Sequence, residues 1–334
     1  MRGTDASVRP HASRPQTAGR RRRWQILALL GVVLLTAAAG CAGQRPDAAG
    51  ELTASVTAPQ ATASSPDAPD TPDTTVGKVL VVMVENHSLG QMRAGMPWLA
   101  RLAERYAYAA DYHGVVHPSL PNYLAIAGGS TFGVRNDASP AAHRLSGASV
   151  FGRAVAAGGT ARLYADAMPQ ACALEPSYPY AVKHNPWAYF VDERDLCAAD
   201  DVPVAQLADD VAAGDLPTVG MLIPDLCHDA HDCRLGTADA WLKRQLRPVL
   251  AGPDFTSGDL ALVITADEDD DHHGNRVLTV VAHPSLERSD RVVRARLNHY
   301  GLSRSLAEVA GVRPLRQART ARSVLAAFGL TPKG

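Results

Sequence analysis

No apolar run in this chain reaches the roughly 20 residues that a membrane-crossing helix needs; the longest, from about Ile26 to Ala39, holds about 14. Basic charge is scarce beyond the N-terminus. The formal net charge of −1 conceals seven Arg and one acid within residues 1–40, so the other 294 residues carry 26 bases and 33 acids. That balance argues against a nucleic-acid partner, which calls for a basic face. Lysine is nearly absent, four of the 33 basic residues, a bias that fits GC-rich codon usage better than function. The five cysteines contain no Cys-x-x-Cys spacing, which speaks against a cysteine zinc site. No internal repeat is present, and nothing in the sequence sets an oligomeric state. What is present suffices for a large core: 46% hydrophobic against 20% charged residues excludes wholesale disorder.

The first forty residues read as an address. Arg20–Arg23 precede the short apolar run, which ends in Ala38-Ala39-Gly40-Cys41. A positive start, a short apolar stretch and small residues before a cleavage point make a secretory signal. Small residues directly before Cys41 also resemble a lipobox, in which Cys41 is lipidated and becomes the mature N-terminus; the alternative is an ordinary signal peptide with an incidental Cys. We take the first, so the protein is expected to be exported and held on the extracytoplasmic membrane surface through Cys41, and otherwise secreted. Residues 41–76, built largely from Ala, Pro, Ser, Thr and Asp, cannot offset their ordering entropy by burial and are expected to form a disordered tether. Setting Cys41 aside leaves four cysteines in an oxidising compartment. Three pairings are open; Cys172–Cys197 and Cys227–Cys233 are preferred because each brackets a loop-like stretch.

From residue 77 to 334 strands and helices alternate. Lys78–Val84, Thr218–Ile223 and Leu260–Thr265 are continuous apolar runs of the kind buried on both faces of a parallel sheet, and 161–164 and 277–281 read similarly. Helical stretches are expected near 96–108, 149–157, 203–213, 238–250, 302–311 and 319–328. The alternation implies one α/β domain, a doubly wound and mostly parallel sheet with helices on both faces.

Three strands run into the same chemistry. Val84 is followed by Glu85-Asn86-His87, Ile223 by Pro224-Asp225-Leu226-Cys227-His228-Asp229-Ala230-His231-Asp232, and Thr265 by Ala266-Asp267-Glu268-Asp269. Ligands of an open parallel sheet bind beyond the carboxyl ends of its strands, so these segments are expected to meet. Carboxylate and amide oxygens with His nitrogens suit a divalent metal ion, Mg, Ca, Mn, Fe or Zn. The run Asp269–Asp271 is read as a solvated loop. A fourth segment, His113 to Gly129, places Ser119 before a helix opened by Pro121. A Ser there meets free backbone N–H groups and the positive end of the helix dipole, and metal coordination would favour its alkoxide.

Five segments then occur in order: Val-Val-Met-Val-Glu-Asn-His-Ser (81–88), His-Pro-Ser-Leu-Pro-Asn-Tyr (117–123), Lys-His-Asn-Pro (183–186), Pro-Asp-Leu-Cys-His-Asp-Ala-His-Asp (224–232) and Ile-Thr-Ala-Asp-Glu-Asp (264–269). Together they resemble the phosphoesterase family of acid phosphatases and bacterial phospholipases C, within the alkaline-phosphatase-like superfamily. The resemblance implies an alkaline-phosphatase-like fold and a small phosphate-ester substrate. It also implies a metal-bound Ser that attacks phosphorus and becomes phosphorylated. On matching positions Glu85, Asn86, Asp267 and Glu268 become metal ligands and Ser119 both ligand and nucleophile. His117, His184 and His228 or His231 become the groups that bind phosphoryl oxygens or protonate the leaving group. Asn122, Asp225 and His299 are secondary candidates; Asp225 and His228 stand where the family pattern leads us to expect Asn. Acid-phosphatase-like hydrolysis of monoesters is the expected activity. The alternatives are a phospholipase C-type phosphodiesterase and a non-catalytic lipoprotein that captures phosphate or a phosphorylated ligand. Sulfate-ester hydrolysis is disfavoured, because no Cys-x-Pro-x-Arg motif occurs.

Overall fold

The computed structural model describes residues 73–333; the expected signal, Cys41 and the tether as far as residue 72 lie outside the described residues. Along the chain the strands are β1 (Thr75–Val76), β2 (Lys78–Val84), β3 (Ala107–His113), β4 (Ala161–Ala165), β5 (Asp201–Pro203), β6 (Val219–Ile223), β7 (Leu260–Ala266), β8 (Arg276–Ala282), β9 (Arg291–Val293), β10 (Leu297–Asn298) and β11 (Thr331–Pro332). Nine of them form one sheet, in the order β10-β3-β8-β7-β2-β6-β4-β5 with β9 also on β3. Only β8 runs against its neighbours; the other pairs are parallel. Side chains of β2 beyond Lys78, and all of β6 and β7, are buried, as strands covered on both faces must be.

The helices are α1 (Leu89–Gly95), α2 (Pro97–Arg105), α3 (Ser119–Gly128), α4 (Val150–Ala156), α5 (Arg194–Asp200), α6 (Gln206–Ala213), α7 (Leu235–Ala251), α8 (Pro253–Thr256), α9 (His299–Val309) and α10 (Val324–Ala327). Nine of the ten sort into two layers: α1, α2, α6, α7 and α8 pack with one another, and so do α3, α4, α9 and α10, while α5 packs on β4 and β5. The expected α/β, doubly wound, mostly parallel architecture is therefore what forms. Trp187, Tyr189 and Phe190 are fully buried in its core.

Three boundaries differ from expectation. Thr75 and Val76, assigned to the tether, pair with Thr331 and Pro332. The helix expected to reach residue 108 stops at Arg105, because Ala107 and Tyr108 enter β3, which carries no apolar run and is held by β8, β9 and β10. Only Val324–Ala327 of the expected 319–328 helix is α-helical.

Disulfides join Cys172 to Cys197 and Cys227 to Cys233. Beside the first lies Asp201, fully buried, with Asn185 Nδ2 donating to its Oδ2 at 2.7 Å. Burial pushes the Asp201 carboxyl up from 3.8 to about 7. Between these values the folded chain holds a proton that the unfolded chain has released. Stability should therefore fall as pH rises through that window and level off above it, by an amount on the order of a few kcal/mol. Urea midpoints measured at about pH 5 and about pH 8 should show the drop, and Asp201→Asn should shrink it. An unchanged slope in that variant would assign the drop to other groups.

Candidate active site

β2 and β7 are parallel neighbours in register from Lys78 opposite Leu260 to Val84 opposite Ala266. The next residues are Glu85 and Asp267, so the pairing itself brings two carboxylates side by side at the carboxyl edge of the sheet. Asn86 turns the chain off the strand at φ +52°, a left-handed conformation that Asn tolerates better than most residues. Its backbone N–H donates to Asp267 Oδ1 at 3.3 Å. Behind Asp267 the chain passes at Gly114, where a Cβ would fall 2.6 Å from the Asp267 carbonyl oxygen. On the other flank of β2, the loop after β6 returns so that Asp229 O accepts from Glu85 N at 2.8 Å.

Ser119 is the first residue of α3, and its Oγ donates to Glu85 Oε2 at 3.0 Å. One turn further along the helix Tyr123 donates its hydroxyl to Glu85 Oε1 and stacks its ring on His184, with centroids 5.0 Å apart. His184 lies between two carboxylates, 3.2 Å from Glu85 Oε2 and 3.1 Å from Asp229 Oδ2. Lys183 Nζ reaches Asp137 Oδ2 at 3.0 Å, Ser119 Oγ at 3.4 Å and His231 Nε2 at 3.3 Å. Asp137 also accepts from Leu120 N at 2.9 Å and so caps the opening turn of α3.

Glu268 stands at the rim. Asn122 Nδ2 donates to its Oε2 at 3.1 Å, and His117 Nδ1 lies 3.0 Å from the same oxygen. The Asn122 amide oxygen meanwhile accepts from Val115 N and Val116 N, so that side chain clasps the loop into α3.

The charges are unevenly matched. Burial opposes ionisation of Glu85, yet His184, Tyr123 and Lys183 together hold its carboxyl down at about 2. Burial also opposes the charge on His184, but Glu85 and Asp229 raise it to about 9. Asp267 is driven well above 3.8 by burial and then by Glu85 and Glu268, and Glu268 is pushed up to about 8 by burial, Glu85 and Asp137. Asp267 Oδ2 is buried with no hydrogen-bond partner. Crowded carboxylates with an orphaned oxygen are what a divalent cation would relieve, so Glu85, Asp267 and Glu268 fit such an ion. Among the described residues of this site it is Glu85, His184 and Asp229, not Glu85, Asp267 and Glu268, that offer ligand atoms all within 4.8 Å of one another.

Asn86, His117, Ser119, His231 and Glu268 thus line one open cleft of about 320 Å³, together with Asp137 and Lys183. Glu85, His184 and Asp267 are buried behind it. His228 is not brought there. Its Nδ1 faces Asp166 at 2.7 Å and Asp225 at 3.1 Å, and its ring stacks on Trp241. Asp225 folds the same loop by accepting from Cys227 N and His228 N. His299 is fully buried, with Nε2 at 2.6 Å from the Asp267 carbonyl oxygen and Nδ1 at 3.0 Å from the Tyr112 hydroxyl. Burial lowers it to about 4, so it stays neutral and supports the Asp267 main chain. Asp269 corrects the reading of 269–271 as a solvated loop: it is 2% exposed and accepts from Asp271 N, His273 N and Asn275 N.

Seven residues of the site escaped the sequence reading: Lys183, Asp137, Asp269, Asp270 and Asp271 line the cleft, while Tyr123 and Asp229 are buried behind it. Two signals were available. Lys183 is one of only four Lys in an Arg-rich chain, and Tyr123 stands one helical turn after Ser119. Nothing in the sequence marks Asp137.

A family model described as the Phosphoesterase family matches residues 90–299. A phosphatidylinositol-3-phosphatase of Mycobacterium tuberculosis is 30% identical over 244 residues, covering 71% of this chain and 78% of that protein. A phosphate-repressible acid phosphatase of Penicillium chrysogenum is 33% identical over 196 residues, covering 54% of this chain and 46% of that protein. The chain thus matches about half the length of that fungal relative. Among solved structures, a lipoteichoic acid synthase from Listeria monocytogenes superposes with a TM-score of 0.53 at 10% identity, over 77% of this chain and 78% of that one, a likeness of fold alone. With nearly two thirds of its length matched by the family model, the chain belongs to the Phosphoesterase family, hydrolases acting on phosphoric ester bonds.

Proposed function

We propose that the chain is an exported, metal-dependent phosphatase that hydrolyses phosphate monoesters through a phosphoserine at Ser119. One observation carries this reading: the Ser119 hydroxyl opens α3 3.0 Å from Glu85 and 3.4 Å from Lys183, in the cleft backed by Asp267, whose Oδ2 has no hydrogen-bond partner. Glu85, Asn86, Asp267 and Glu268, with the Ser119 oxygen, would hold the divalent ion. When bound, that ion would supply positive charge against the serine oxygen and the phosphoryl group.

The chain's own residues do the rest. Glu85 accepts the Ser119 hydrogen bond and so aims the oxygen into the cleft. Lys183 and His231 face the space over Ser119, where charge on phosphoryl oxygens grows in the transition state. His117, on the rim beside Glu268, is placed to give the departing alcohol its proton. As the Ser119 oxygen bonds to phosphorus its proton passes to Glu85 Oε2, and the ester oxygen leaves as the alcohol with the histidine's proton. Water then attacks the phosphoserine, giving one proton to that histidine, and the proton on Glu85 returns to the serine oxygen as phosphate leaves. Both curated relatives are named as phosphatases, which favours the monoester over the phospholipase C-type reading. A non-catalytic phosphate binder would have no use for a serine held in this way.

Export rests on the N-terminal segment and suits the two disulfides. A lipid on Cys41 would tether the domain to the extracytoplasmic membrane surface; no helix among the described residues is long and apolar enough to cross a membrane. The purified protein is expected to turn over p-nitrophenyl phosphate in preference to bis(p-nitrophenyl) phosphate. EDTA should lower the rate by about 10²-fold or more, and one of Mg, Ca, Mn, Fe or Zn should restore it. Activity indifferent to chelation would remove the metal from this reading.

A further inference from the structure

Beside the cleft lies a second depression of about 290 Å³, walled by Pro176, Tyr178, Val182 and Leu226, and the two share Asp137 and Lys183. The cleft is lined by charged and polar groups, whereas these walls are apolar. Lys183 therefore stands on the boundary, with its ammonium 3.4 Å from Ser119 Oγ on one side. A phosphate ester bound over Ser119 would have this depression within reach of its alcohol.

The wall at Tyr178 is unusual for this molecule. Among the described residues only Val116, Leu174 and Tyr178 are large exposed hydrophobic side chains, at 38%, 39% and 75% exposure. Two of them belong to the segment that runs from Cys172 to Lys183, and the third directly precedes His117. Of the three, Tyr178 walls the depression, and an exposed aromatic ring next to a reactive centre points to a binding surface. The segment is also braced. Tyr180 donates its hydroxyl to Ala173 O at 2.9 Å, Leu226 N donates to Pro179 O at 3.1 Å, and Cys172 is tied to Cys197. The walls are thus formed before any substrate arrives.

We propose that this depression is the leaving-group subsite, and that the substrate is a phosphate monoester whose alcohol carries an apolar group close to the phosphate. The inference rests on the phosphomonoesterase reading above. Its test compares n-hexyl phosphate with ethyl phosphate, which expel equally poor primary alkoxides, so that any difference reports contact with the alcohol. The wild type should show a kcat/KM for the hexyl ester about ten-fold above that for the ethyl ester. Tyr178→Ser with Leu226→Ser should bring the hexyl value down to the ethyl one and leave the ethyl value unchanged. Equal values in the wild type, or an equal loss on both esters, overturn the subsite.

Binding of hexylphosphonate and ethylphosphonate by calorimetry separates this inference from its premise, since neither can be hydrolysed. If the wild type cleaves neither ester, the phosphatase reading fails. About ten-fold tighter hexylphosphonate binding that vanishes in the double variant still supports the subsite, and equal binding overturns it.

Discussion

Ser119→Ala is expected to lose about 10³-fold or more in kcat toward p-nitrophenyl phosphate while melting close to the wild type. The loss is large because, on the proposed mechanism, the substitution would remove the group that accepts the phosphoryl, and with it the covalent route. What survives is positioning by Lys183, His231 and the opening of α3. The fold should tolerate the change: Ser119 makes one hydrogen bond to Glu85, whose oxygens keep Tyr123 and His184 as partners. Acid quenching during turnover should trap phosphate on the peptide that contains residue 119 in the wild type and on none in the variant. Near-normal turnover by Ser119→Ala would place the nucleophile elsewhere and reduce the Ser119–Glu85 contact to ordinary capping of a buried carboxylate.

The parts of this site that were legible in the sequence share one physical cause. Glu85 and Asp267 each follow directly on an apolar run, of the kind a strand buried on both faces of a parallel sheet calls for. Two such strands in register must bring the residues after them together. Ser119 was legible because a Pro two residues later fixes where a helix can begin. The loop histidines lacked any equivalent constraint. His228 and His231 stand three residues apart within one disulfide loop, and nothing in their spacing says which faces the cleft. That is decided by Asp225 and Asp229: Asp225 binds the loop at Cys227 N and His228 N, while Asp229 accepts from His231 N at 2.7 Å. Lys183 and Asp137 meet across 46 residues of chain, a closure no local pattern announces. β3 was missed for a related reason: Ala-Tyr-Ala-Ala-Asp-Tyr-His has neither an apolar run nor a clean alternation, and its strand state comes from its neighbours.

Asp267→Asn should raise the melting temperature of the EDTA-treated protein and abolish the further rise that a divalent cation gives the wild type. Without a cation, Asp267 carries a fully buried carboxyl beside Glu85 and Glu268 with one oxygen unpartnered. Its pKa is raised by burial and by those two carboxylates, so the metal-free wild type should lose stability as pH climbs above 3.8, because folding then holds a proton that the unfolded chain releases. An amide at the same position carries no charge to suppress, which removes that penalty. Binding of a cation to the folded wild type alone adds about 2.7 kcal/mol when the free ion is at a hundred times its Kd. That corresponds to a rise of roughly 5–10 °C for a domain of this size. Thermal melts of both proteins, run with EDTA and with each of the five candidate ions, read this without any substrate. The variant's kcat should fall by about 10²-fold or more at the same time. If both proteins gained equally from the ion, Glu85, His184 and Asp229 would become the better account of where it binds, and the Asp267 carboxyl would be a buried acid that stays protonated.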